Sequence, residues 1–184
     1  MQRVESVTKP ANGSVTFRFD NGILNQLRGE AAQKRISLNT LASQIFQSHV
    51  EYDTYASKAG LVSFPKSLLV RLMDRLSKQE VDKLSEYIAK NDIKDMTLML
   101  RQEYTLSSFL AMIESWLRVS GFSYRRDGTG RVETFVIQHD MGKRWSVYFE
   151  TLFSYVFEDL NQKKPLFDIT DNSIAFKLHT EQPT

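Results

Sequence analysis

Ser14, Thr16 and Arg18 alternate with Val15, Phe17 and Phe19 in one six-residue run. In an extended strand, residues two apart share a face, so this run carries a hydroxyl–hydroxyl–arginine face and an apolar face. Such a polar face can read base edges in a DNA major groove, which is wide enough for a two-stranded ribbon. A second cluster combines His139 and Asp140 with Lys143 and Arg144. The last two fall in the first turn of an expected helix, where its dipole disfavours cations by about 0.3–1 kcal/mol each. A bound anion would ease that placement, so His139, Lys143 and Arg144 form a candidate anion or ligand site. The plainer reading makes His139 structural and Asp140 an N-cap. The remaining histidines, His49 and His179, give no metal-ligand spacing, and no nucleophile–base pair is visible. The sequence therefore predicts no metal, no cofactor and no catalytic residue.

These groups need elements to hold them. A lone six-residue strand cannot stand in water and must pair. The residues after it are helical in pattern, so the economical partner is the same strand of a second copy, which predicts a homodimer. Asp20-Asn21-Gly22 offers a cap for a helix over about 22–34, with Ile23, Leu24, Leu27 and Ala31 inward. Gly29 inside it costs about 1 kcal/mol relative to alanine. Ser37 is a good N-cap for a second helix burying Leu38, Leu41, Ile45 and Phe46, with Val50 near its end.

This strand–helix–helix pattern, about residues 13–52, resembles the ribbon-helix-helix family of DNA-binding proteins, which includes the Arc and methionine repressors. The resemblance implies that Ser14, Thr16 and Arg18 contact bases in double-stranded DNA. It also implies that Ser37, Leu38 and Asn39 point a helix N-terminus at a phosphate. The family often has glycine in the preceding turn, where Lys34-Arg35-Ile36 stands here. A non-glycine residue at positive φ costs roughly 1 kcal/mol, which predicts a turn built differently. Lys34 and Arg35 would then supply phosphate contacts.

Charge agrees in sign. Residues 1–50 hold six basic residues (Arg3, Lys9, Arg18, Arg28, Lys34, Arg35) against Glu5, Asp20 and Glu30, whereas the rest of the chain is nearly balanced. The footprint is modest, so specific contacts must matter as much as bulk charge. The 184 residues suffice for one or two domains with real cores. Without cysteine, disulfides and thiolate chemistry are excluded. No apolar run approaches the ~18 residues of a membrane span and no signal core opens the chain, so a cytoplasmic protein with no membrane partner is expected.

The expected organisation is a flexible arm (1–12), a ribbon-helix-helix domain (13–55), a linker (56–64) and an α+β domain (65–184). In the last, helices are expected at about 66–76, after the Ser77–Glu80 capping box, at 93–102 and after Thr105. Strands around Phe122–Tyr124 and Val132–Ile137 should join through Asp127-Gly128-Thr129-Gly130. A helix over about 142–160 follows, then a hairpin of Leu166–Thr170 and Ser173–Leu178. The result is an α-helical stretch followed by an α/β sandwich, helices on one face of antiparallel hairpins. The aromatic row of the long helix reads as packed core, with Trp145, Tyr148 and Tyr155 at a rim.

The reading is a dimeric, sequence-specific transcriptional regulator, a repressor in its family resemblance. Its C-terminal domain senses a small molecule, binds a protein partner or extends oligomerisation. An antitoxin is the first alternative, although antitoxin tails are usually short. A C-terminal enzyme targeted to DNA is the second, opposed by the missing acid–base constellation.

Overall fold

The computed structural model describes residues 13–129 and 132–179, so the expected arm over 1–12 lies outside it. The chain divides into two compact units, one ending at Ile45 and the other beginning at Phe46. In the first, Asp20 caps α1 (Asn21–Gln33), its carboxylate accepting the Gly22 N–H at 2.7 Å. α2 (Leu38–Ser48) follows a tight turn, and the division between the units falls within it. Residues 13–20 form no regular element. The strand expected at 14–19 is therefore absent from the single chain. The physical reason is plain: a strand is defined by its ladder, and among this unit's described residues no other strand is available to make one.

The second unit is an α+β fold. Its chain leaves α2 through a π-helical turn, His49–Asp53, into α3 (Thr54–Ala56). α4 (Lys66–Met73) starts directly after Pro65. α5 (Lys78–Tyr87), a π-helical turn at Ile88–Ile93 and α6 (Lys94–Arg101) then make one continuous rod. Ser77 starts it with the expected capping box: its N–H reaches Glu80 Oε2 at 2.7 Å, and the Glu80 N–H reaches Ser77 Oγ at 3.3 Å. Thr105 and Ser108 begin α7 (Leu106–Val119) by the same reciprocal device.

Four antiparallel strands complete the unit: β1 (Ser123–Thr129), β2 (Val132–Gln138), β3 (Phe167–Ile169) and β4 (Ser173–His179). Their order is β1-β2-β4-β3, so both expected hairpins join into one sheet through β2 and β4. α8 (Lys143–Asp159) connects the hairpins and contacts both the sheet and α5. Alternation sends Phe135, Ile137, Ile174, Phe176 and Leu178 into the core, while Thr134 and Lys177 leave it. Phe135 lies opposite Phe176, their rings stacked 5.1 Å apart. From α8, Phe153 and Phe157 meet Phe176 at 5.6 and 5.7 Å. Each such fully buried ring contributes roughly 1.5–3 kcal/mol through the area it removes from water.

No helix among the described residues is long and apolar enough to cross a membrane.

Candidate nucleic-acid interface and the His139 junction

The turn between α1 and α2 is built by backbone geometry that the sequence argues against. Arg35 sits in the left-handed region at φ 54°. Its N–H donates to Ala32 O at 3.1 Å, and the Ile36 N–H donates to Ala31 O at 3.0 Å. This pair of bonds is a Schellman motif, which satisfies carbonyls that the helix end would leave bare. The expectation of a differently built turn is thus corrected: arginine occupies the position where glycine is usual. Satisfying two carbonyls outweighs a local cost of roughly 1 kcal/mol for Cβ at positive φ.

Two residues later Ser37 caps α2. Its Oγ accepts the Thr40 N–H at 3.0 Å and lies 2.7 Å from Thr40 Oγ1. The Leu41 N–H closes the first helical turn onto Ser37 O at 3.0 Å. Leu38 and Asn39 then occupy the first turn, whose amides point outward from the helix end. Lys34, Arg35, Ser37 and Asn39 are exposed and Leu38 is half-buried. Lys34 is also bonded to Glu30 at 2.6 Å, an exposed i,i+4 pair. That pairing tempers its charge, leaving Arg35 as the stronger cation beside the α2 N-terminus.

Ser14, Thr16 and Arg18 are all exposed. So are Val15 (72%), Phe17 (50%), Phe19 (48%) and, in α1, Ile23 (51%). The Phe17 and Phe19 rings lie 5.9 Å apart, on a common side of the chain as alternation requires. Ala31 and Leu41 are the buried apolar side chains among this unit's described residues.

The His139 cluster is arranged for structure. His139 is fully buried at the end of β2. The Met141 N–H donates to its Nδ1 at 3.1 Å, so the proton sits on Nε2, which donates to Ser146 Oγ at 2.9 Å. Ser146 passes its own proton to Thr170 O at 2.6 Å. Burial, opposed by the Asp140 carboxylate, holds the imidazole below its ordinary pKa and keeps it neutral. Both ring nitrogens are therefore occupied in tying β2, the first turns of α8 and the β3–β4 turn together. Asn172 adds to the same joint, its carbonyl accepting the His139 and Asp140 N–H groups at 2.9 and 3.2 Å.

Lys143 donates to Ile169 O at 3.0 Å, and Arg144 is exposed. Gly142, at φ 88°, is the N-cap residue of α8, with no side-chain cap. Asp140 is not that cap. It lies at φ 56° and accepts from Gln138 Nε2 at 3.1 Å. Lys66, absent from the sequence reading, reaches this junction across the fold: its Nζ donates to His139 O at 3.0 Å and lies 4.7 Å from the Phe122 ring. Only a long-range contact reveals it, and its sequence neighbourhood carries no such signal. No group of three or more histidine or acidic side chains among the described residues could hold a metal ion.

Comparison with known proteins adds no class: no family model, curated protein or solved structure matches the chain significantly.

Proposed function

We propose that the chain is a dimeric, sequence-specific DNA-binding transcriptional regulator of the ribbon-helix-helix type. Residues 14–19 pair with the same residues of a second copy. The resulting ribbon enters the major groove, with Ser14, Thr16 and Arg18 reading bases. Arg35, Ser37, Leu38 and Asn39 hold the flanking phosphate, with Lys34 adding charge. The second unit serves ligand sensing, partner binding or oligomerisation.

The observation that carries this reading is the imbalance of the N-terminal unit. Val15, Phe19 and Ile23 are about half exposed or more, while among the unit's described residues the buried apolar set is Ala31 and Leu41. So small a unit cannot support itself on that core, and exposed apolar side chains gathered in one short stretch mark an interaction surface. The alternating pattern makes a second copy of the strand the fitting cover, because pairing would satisfy the backbone and bury that face together. The Arg35 turn and the Ser37 cap supply the anion-binding half of the same unit.

Val15→Asp tests it. At 72% exposure in the single chain, this position should tolerate aspartate within about 0.5 kcal/mol if the chain is a monomer. In the ribbon the new carboxylates would be buried against each other. Light scattering should show dimer for the natural chain and monomer for the variant, and a gel shift should show DNA binding lost. A variant that stays dimeric and binds DNA normally refutes the ribbon.

A further inference from the structure

We infer that the second unit carries a self-association surface: the free edge of β1 pairs antiparallel with β1 of a second copy, two-fold about Arg126. Two four-stranded sheets then become one. β1 stands at one end of the strand order and β3 at the other, and the two edges differ. β3 has three residues and starts just beyond Pro165, two devices that keep further strands from adding. β1 has seven residues, no proline and an unbroken register against β2. Ser123, Arg125, Arg126, Asp127 and Gly128 are exposed, and no other strand among the described residues covers this edge. A long open edge is a template for another chain.

Backbone parity fixes which groups are free. Thr129 and Val132 are the last partners of the β1–β2 ladder, so they form its closing hydrogen-bonded pair. Alternation then turns the amides and carbonyls of Ser123, Arg125 and Asp127 toward β2, and those of Tyr124, Arg126 and Gly128 outward. Pairing through the outward groups allows only registers that differ by a slide of two residues. Charge selects among them. With the axis at Arg126, Arg125 faces Asp127 of the second copy, and Asp127 faces its Arg125. Both meet at non-hydrogen-bonded sites, where side chains lie closest. A slide by two in either direction sets Arg125 against Arg125 or Asp127 against Asp127, which repels.

The other contacts agree with this register. Arg125 and Asp127 lie 2.5 Å apart with side chains 71% and 60% exposed, so two copies bring together guanidinium and carboxylate groups of balanced sign. On the opposite face Arg126 meets Arg126, but each is already held by Glu114 at 2.9 Å and Glu133 at 2.7 Å. Tyr124 comes opposite Gly128, and an aromatic ring across from an edge glycine shields its bare backbone. Charges on an edge can also keep strands away, a role that suits like charges. Here opposite signs two residues apart meet their complements in a symmetric copy. The contact is small, at the transient end of interface sizes (below about 1,200 Å²), so it forms at high protein concentration. It stands whether or not the N-terminal unit pairs or binds DNA, and doubles the mass of whichever species that unit leaves.

The chain has no cysteine, so introduced thiols report the register in the full-length protein. Arg125→Cys and Asp127→Cys chains, mixed and mildly oxidised, should form a disulfide-linked dimer, because these positions face each other across the axis. Either chain alone should cross-link about tenfold more slowly, since its thiols then lie diagonally apart. Sedimentation equilibrium tests the charges. Asp127→Arg should weaken the association about tenfold, and Arg125→Asp combined with Asp127→Arg should restore it to within about threefold of the natural chain. No cross-link, or equal cross-linking in the mixture and in the separate chains, overturns the pairing. A double swap that associates as weakly as Asp127→Arg overturns the register that charge selects.

Discussion

Arg35→Gly should strengthen the fold and weaken DNA binding at once. In the α1–α2 turn Arg35 holds φ 54° while its N–H and that of Ile36 satisfy Ala32 and Ala31. A non-glycine residue pays about 1–2 kcal/mol for that conformation. Glycine removes the strain but gives back roughly 0.4–1 kcal/mol through the freedom of the unfolded chain. The net gain is about 0.5–1 kcal/mol per chain, or a melting temperature some degrees higher for a small domain. The guanidinium is lost in the same change. If it contacts a phosphate, affinity should fall for every DNA sequence alike, and the slope of log affinity on log salt should shrink by about 1 per contact. Calorimetric unfolding and anisotropy titrations across a salt series read both quantities. Lower stability in the glycine variant would refute the strained turn. Gained stability with unchanged salt slope would refute the phosphate contact and leave the arginine as mere strain.

The other expectations follow the same residues. Arg18→Ala should cost about 1–3 kcal/mol of discrimination between a selected site and random duplex, while non-specific affinity falls far less; equal losses on both would remove Arg18 from base reading. Ser37→Ala removes the cap on Thr40 and should destabilise the protein by about 1 kcal/mol, measured by urea unfolding; no change would mean that the cap contributes nothing in solution. His139 titrates below its ordinary value because it is buried, so the unfolded chain takes up its proton first. The stability this neutral histidine contributes is therefore complete above about pH 6.5, and is lost as pH falls from there through the folded-state value. His139→Gln should flatten that part of the stability–pH curve, and an unaltered curve would place the titration elsewhere.

How much of this could be read from the sequence depended on whether the cause was local. Capping chemistry was legible, because Ser77 and Glu80 satisfy each other within one turn. The hairpins were legible too: alternation along Val132–Ile137 and Ser173–Leu178 sets which side chains enter the core. The π turns were not. A π turn advances the chain out of the 3.6-residue phase, so the helix after it carries its apolar stripe on a shifted line. That is why 88–93 reads as a gap between helices although α5 and α6 form one rod. Arg35 was misjudged because propensity weighs the residue alone, whereas the turn is decided by two carbonyls seeking partners. The polar face of residues 14–19 was visible as a pattern, yet a strand needs a ladder, and no strand among the described residues of that unit offers one.

The central claim is that two copies of this chain read one DNA site. Selection from a randomised duplex pool, followed by light scattering of the protein on the enriched duplex, tests it most directly. A two-fold symmetric consensus bound by an even number of chains is expected, because a pair of identical strands presents a symmetric reader to the groove. Affinity should also fall steeply with salt. No enrichment over the starting pool, or an enriched site without symmetry bound by a single chain, would contradict it.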